Sequence, residues 1–176
     1  TVNSSGIVKG IKEGKVTITA TTTDGSNKKA TCNVTITMPF KDVDTTYWAY
    51  NSIKYMYDRK YMSGTNSTTF LPESKITRGM VVTILHNMEG QPYVSGKCKF
   101  SDVQNPSEWY YSAIKWASAN NIVSGYSNGK FGPNDPVTRE QLAVILNQYC
   151  KYKGKYKSVK ADYSKFADSK KISSFA

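Results

Sequence analysis

The sequence is poor in the residues that carry most enzyme and metal chemistry. It has one histidine, His86, and three cysteines, Cys32, Cys98 and Cys150, with no C-x-x-C spacing. That set holds no zinc centre and no convincing nucleophile–base pair. Its 13 carboxylates present no pair that stands out for glycoside chemistry. No catalytic residue, metal or cofactor is therefore expected. Only three of the 24 basic residues are arginine, which argues against nucleic acid as a partner, since base and phosphate forks are made mostly by guanidinium groups. No apolar run approaches the about 20 residues of a spanning helix, so membrane insertion by a helix is excluded. The chain begins at Thr1 with no initiating Met, basic start or apolar stretch, which reads as a piece of something larger, its signal peptide absent or removed. Three cysteines leave at least one unpaired. Cys32 falls in an apolar alternation and reads as a small core residue, whereas a Cys98–Cys150 bridge stays open in an oxidising compartment.

What the sequence has in excess is lysine. The formal net charge is +11, and more than half of it lies in the last stretch, where residues 145–176 hold eight basic and two acidic groups. Lys151, Lys153, Lys155, Lys157, Lys160 and Lys165 form one tract. Such a tract suits an acidic polymer as neighbour; a solvated basic linker is the plain alternative.

Residues 1–37 read as β structure. Val16, Ile18 and Ala20 alternate with Thr17, Thr19 and Thr21, and Ala30 to Ile36 alternates again. Thr23-Asp24-Gly25-Ser26 carries the Asp-Gly turn signal between them, so the pair predicts a hairpin. Two strands bury too little alone and should belong to a larger sandwich. The strings Ser5 to Gly10, Gly14 to Ala20 and Ala30 to Ile36 resemble the C-terminal half of a group 2 bacterial immunoglobulin-like domain. That resemblance implies a spacer of a secreted protein.

From residue 38 the pattern changes to an internal repeat. Phe40, Asp42 and Val43 recur as Phe100, Asp102 and Val103; after a one-residue insertion the register holds at an offset of 61. Trp48 matches Trp109, Ile53-Lys54 matches Ile114-Lys115, Ser63-Gly64 matches Ser124-Gly125, Phe70 matches Phe131, and Thr77-Arg78 matches Thr138-Arg139. A third copy opens at Phe166-Ala167-Asp168, with Phe175 where the Trp belongs. In each copy Asp44 or its equivalent should cap a helix, with Ala49, Ile53 and Met56, or Ala113, Ile114 and Ala117, facing inward. Gly64 and Gly125 should end that helix by supplying a positive φ. Phe70 and Phe131 plug the loop that follows. Thr77 and Thr138 should cap a second helix, with inward stripes Val81, Ile84, Leu85, Met88 and Leu142, Ile145, Leu146, Tyr149. Thr138 with Gln141 predicts a capping box.

These residues resemble the S-layer homology (SLH) domain, whose marks are a Phe-x-Asp-Val opening, a Trp at the head of the first helix, a Gly after it, a Phe-x-Pro loop and Thr-Arg-Ala-Glu at the second helix. The expected architecture is a mainly α set of repeats after a partial β-sandwich: residues 1–37 immunoglobulin-like, 39–99 repeat 1, 100–150 repeat 2, 151–165 a basic linker, 166–176 the start of repeat 3. The resemblance implies a pseudo-threefold bundle whose inter-repeat grooves bind an acidic, pyruvylated secondary cell-wall polysaccharide, mooring a secreted protein to a Gram-positive envelope. By position, the carbohydrate contacts implied are Arg78 and Arg139, then Trp48 and Trp109, then Asp42 and Asp102, with both guanidinium groups facing a wet cleft between units. The fourth motif residue departs from the family, being Met80 and Gln141 in place of Glu, and Gly79 stands where Ala is expected. That departure keeps two other functions open: a spacer or self-associating region without sugar binding, and the accessory part of a wall hydrolase whose catalytic domain lies elsewhere.

Overall fold

A computed structural model describes residues 1–11, 14–158 and 162–175. Lys160 of the basic tract and Ala176 of the third copy lie outside the described residues. Among the described residues, two strands and four α-helices follow in order: β1 (Gly14–Thr21), β2 (Lys29–Ile36), α1 (Tyr50–Asp58), α2 (Arg78–Met88), α3 (Tyr111–Ala119) and α4 (Arg139–Tyr152), with a short 3-10 turn at Ser169–Lys171. The chain folds as two compact units. One holds Thr1–Lys54 and Gly64–Pro72; the other holds Tyr55–Ser63 and the chain from Glu73 onward.

In the first unit β1 and β2 form the expected antiparallel hairpin. Val16 faces Val34, Ile18 faces Cys32 and Ala20 faces Ala30, so one face is apolar and the other is threonine-rich, as a two-residue period dictates. Asp24 fixes the turn: its Oδ1 accepts from the Ser26 amide at 2.9 Å and from Ser26 Oγ. Those bonds hold its carboxyl down at about 2. Cys32 is exposed, a correction to its reading as a core residue. Its neighbour across the strand, Ile18, is only half-buried, because a single sheet layer cannot enclose its own apolar side.

The second unit contains the main core. Trp116, Phe131, Ile114, Ile122, Val82 and Val103 are its largest fully buried side chains. Helices α2 and α3 pack on each other, so the second helix of copy 1 is joined to the first helix of copy 2. This pairing turns the inward faces from those expected. In α2, Val81 and Leu85 are buried as predicted, but Val82 and His86 join them while Met88 is exposed. His86 is turned inward by Trp116 of α3, whose ring sits 5.2 Å from its own, and Val82 joins the same buried cluster. In α3, Ala113, Ile114 and Ala117 are buried as expected. In α4 Ile145 is buried, Leu142 and Tyr149 pack against the core, and Leu146 is exposed.

The caps of α2 and α4 follow the sequence. Thr77 Oγ1 accepts from the Met80 amide, and Thr138 with Gln141 forms the full capping box. Two local expectations are corrected. Asp44 does not cap α1, which begins only at Tyr50; its carboxylate accepts from the Thr46 amide at 2.7 Å and from Thr46 Oγ1 in a local turn. The positive φ after the first helix belongs to Lys60 (60°) and Asn121 (57°), not to Gly64 and Gly125. Those two glycines are required for space: a Cβ on Gly125 would lie 2.6 Å from the Lys130 carbonyl and against the Phe100 ring, and one on Gly64 would meet Phe40 in the same way. All three cysteines are free thiols, with Cys98 buried and Cys150 exposed, so the Cys98–Cys150 bridge is not formed.

Candidate functional site at the repeat junctions

Each copy builds the same loop clasp from its opening motif. Phe40 and Phe70 meet at 5.3 Å between ring centroids, and Phe100 and Phe131 at 5.4 Å. The aspartate two residues after the first Phe then anchors the loop. Asp102 accepts from the amides of Phe131 and Gly132, both at 2.8 Å. Asp42 accepts from those of Phe70 and Leu71, at 3.0 and 2.7 Å. The bonds to Phe70 and Leu71 lower the Asp42 pKa, since they favour the ionised form. Both aspartates thus occupy their lone pairs on backbone 28 to 30 residues away.

The two motif arginines sit differently. Around Arg78, the head of α2 is laced to the loop of copy 2. Arg78 N donates to the Asp135 carbonyl and Gly79 N to the Pro133 carbonyl, each at 2.9 Å, and Val137 N donates back to Ile76 O at 3.1 Å. The Arg78 side chain enters this seam at 5% exposure. Its Nε donates to Phe131 O at 2.8 Å and its Nη2 to Ser124 O at 3.2 Å. The guanidinium carbon lies 4.6 Å from the Phe131 ring centre and 4.7 Å from that of Tyr126, which is cation–π range. Tyr126 in turn donates to Asp135 Oδ2 at 2.9 Å; burial first, then this bond, raises its phenol pKa. Arg78 therefore does not face a wet cleft.

Arg139 is exposed at the head of α4. Beside it Glu140 reaches the start of the third copy, accepting from Ser173 N at 3.2 Å and Ser173 Oγ at 3.1 Å. Gln141, which replaces the family's Glu, accepts from the Thr138 amide at 3.2 Å within the capping box. Trp48 is 87% exposed and Trp109 53%, with Tyr47 and Tyr110 against their rings at 5.9 and 5.1 Å. Sequence reasoning did not single out Ser124, Tyr126, Glu140 or Ser173. The first three stand at or beside motif positions; their carbonyl, ring and carboxylate roles carry no residue signature.

A profile of the S-layer homology domain matches residues 39–79 and 99–143. Residues 39–79 and 99–143 are S-layer homology repeats. The matched segments contain both Phe–Asp clasps and both Thr-Arg helix starts described above. An endoglucanase of Bacillus sp. (strain KSM-635) is similar to this chain, at 35% identity over 138 residues, 78% of this chain and 14% of the endoglucanase. The surface-layer 125 kDa protein of Lysinibacillus sphaericus is 31% identical over 115 residues, 62% of this chain and 10% of that protein. A cellulosome-anchoring protein of Acetivibrio thermocellus is 24% identical over 114 residues, 62% of this chain and 25% of that protein. The chain thus spans a quarter or less of each relative. S-layer homology membership, with surface-layer relatives, marks it as part of a secreted, cell-surface protein.

Proposed function

We propose that this chain is a non-catalytic anchor that moors a secreted protein to the Gram-positive wall by binding an acidic, pyruvylated wall polysaccharide. The observation that carries the proposal is the exposed Arg139 at the N-terminus of α4. A guanidinium there adds a planar donor fork to the positive end of the helix dipole, and both suit a carboxylate. Exposed Trp48 and Trp109 supply flat faces for the apolar side of a sugar ring. Arg78, Asp42 and Asp102, also expected as contacts, serve the fold in this reading by holding its loops. The endoglucanase and cellulosome-anchoring names are consistent with this role, since an anchor is useful to many different catalytic partners, and any catalytic domain would lie outside this chain.

The boundaries we propose are those read from the sequence, residues 39–99 and 100–150 for the repeats and 166–176 for the start of a third. We also propose that β1 and β2 are the end of an immunoglobulin-like sandwich, with Val16, Val34, Ile18 and Cys32 on the face its missing layer would cover.

The test is retention of the chain on purified wall polysaccharide. Arg139→Ala should weaken it by about tenfold or more, as expected for one charged hydrogen-bonded pair of about 1.5–3 kcal/mol, and removal of the pyruvyl groups should do the same. Retention unaffected by both would refute sugar anchoring. One observation favours a second reading, a spacer or self-associating region: neither Met80 nor Gln141 offers the family's carboxylate. Under that reading the chain is not retained, and light scattering shows a mass that rises with concentration.

A further inference from the structure

We propose that Gly79 decides which of the two motif arginines is open to an acidic glycan: it lets α2 close on the Phe131–Asp135 loop, which locks Arg78 into the fold and leaves Arg139 to meet the ligand. The proposal deepens the anchoring function and rests on it.

Glycine in a helix is unfavourable by about 1 kcal/mol relative to alanine, so its presence at the head of α2 calls for a steric reason. The structure supplies one. A Cβ on Gly79 would stand 2.8 Å from the Pro133 carbonyl oxygen and 3.4 Å from the Pro133 Cβ. That oxygen is backbone and cannot rotate away, and it is the same atom that accepts from Gly79 N at 2.9 Å. The neighbouring bonds, Arg78 N to Asp135 O and Arg78 Nε to Phe131 O, grip the loop on either side of Pro133. A methyl group that pushes Pro133 away must loosen both.

Closed in this way, Arg78 presents no free fork. Nε and Nη2 are engaged with carbonyls, and rings of Phe131 and Tyr126 lie within 5 Å of the guanidinium carbon. Bidentate recognition of a carboxylate by a guanidinium uses two parallel N–H donors open to the ligand. At the matching position of copy 2 stands Glu140, which reaches outward to Ser173. The start of the next copy is held there by the Glu140 carboxylate, which accepts from the Ser173 amide and hydroxyl, and Arg139 stays exposed.

The experiment uses the whole chain and four variants, Arg139→Ala, Arg78→Ala, Gly79→Ala and the double variant Gly79→Ala/Arg139→Ala. Affinity for purified pyruvylated wall polysaccharide, melting temperature and hydrogen exchange of the arginine Nε–H groups by NMR are measured for each. Arg139→Ala should lose about tenfold or more in affinity with its melting temperature unchanged. Arg78→Ala should melt lower and keep its affinity in the folded state. In the wild-type chain the Arg78 Nε–H should exchange slowly and that of Arg139 quickly. Gly79→Ala should speed the Arg78 exchange, and the double variant should recover affinity that Arg139→Ala lost. If Gly79→Ala does not fold, the contrast between the two arginine variants and the wild-type exchange rates decide the matter. Fast exchange at Arg78 in the wild type overturns the proposal, as does a folded double variant with fast Arg78 exchange that binds no better than Arg139→Ala. Wild-type binding left intact by Arg139→Ala overturns this proposal alone, whereas a wild-type chain that binds no polysaccharide overturns the anchoring function and this proposal with it.

Discussion

Single residues in this chain act mostly by holding loops. The carboxylate of Asp102 replaces a turn of secondary structure, because two amides point at it and would otherwise be buried beside Phe131 without partners. Asp102→Ala should lower stability by about 2–4 kcal/mol, since two charged hydrogen bonds are lost together, a loss visible in a urea titration. Gly125 is the steric counterpart. Adding one methyl drives it into the Lys130 carbonyl and the Phe100 ring, and Gly125→Ala should lose about 1–3 kcal/mol, the usual cost of overpacking. If Gly125→Ala melted with the wild type, the close approach would not be the reason for glycine. The motif pattern marked both positions, but it assigned Gly125 to a bend in the backbone. A conserved-looking pattern cannot distinguish a special φ from a lack of room, because glycine answers both needs.

At the scale of elements, the ends of α2 and α4 are tied by one acid. Glu89, at the C-cap of α2, accepts from the Tyr149 hydroxyl and, at 2.9 Å, from Lys153 Nζ. The Tyr149 bond, then Lys153, hold its carboxyl below the ordinary range. A group whose folded value is depressed gives stability that is complete above its unfolded value, near 4.3, and lost as pH falls through the lowered one. The melting temperature should therefore fall steadily below about pH 4.5, and Glu89→Gln should flatten that slope while lowering stability at neutral pH by about 1 kcal/mol. Part of the slope will remain, since Asp42, Asp44 and Asp162 are shifted in the same direction by their own hydrogen bonds. An identical acid slope in the variant would exclude Glu89 as a source. The same network raises the Tyr149 hydroxyl, mainly through burial.

For the molecule as a whole, the two units differ in how much they enclose. The second has a continuous core from Val81 to Ile145 built around Trp116, while β1 and β2 in the first are exposed or half-buried along almost their whole length. Local opening follows buried apolar contact. Amides of α3 around Trp116 should exchange hydrogen at close to the global unfolding rate, and those of β1–β2 orders of magnitude faster. Equal protection would mean that the hairpin's apolar face is covered in solution. Trp116→Ala should cost about 3–5 kcal/mol, the range for a large aromatic lost from a core.

The duplicated unit, the hairpin and the caps of α2 and α4 were legible in the sequence because each is written locally. Thr138 finds Gln141 three residues on, and Val16, Ile18 and Ala20 share a face by the period of a strand alone. The helix faces and the fates of the arginines were not. His86 points inward because Trp116, thirty residues further on, lies against it, and Val82 is enclosed in the same cluster. Arg78 and Arg139 occupy the same place in the same motif, yet one is enclosed by the carbonyls of Ser124 and Phe131 and the other is exposed. A repeat fixes what each copy offers to its neighbour; which backbone atoms arrive to receive it depends on the next copy's loop, and long-range packing of that kind has no period to read.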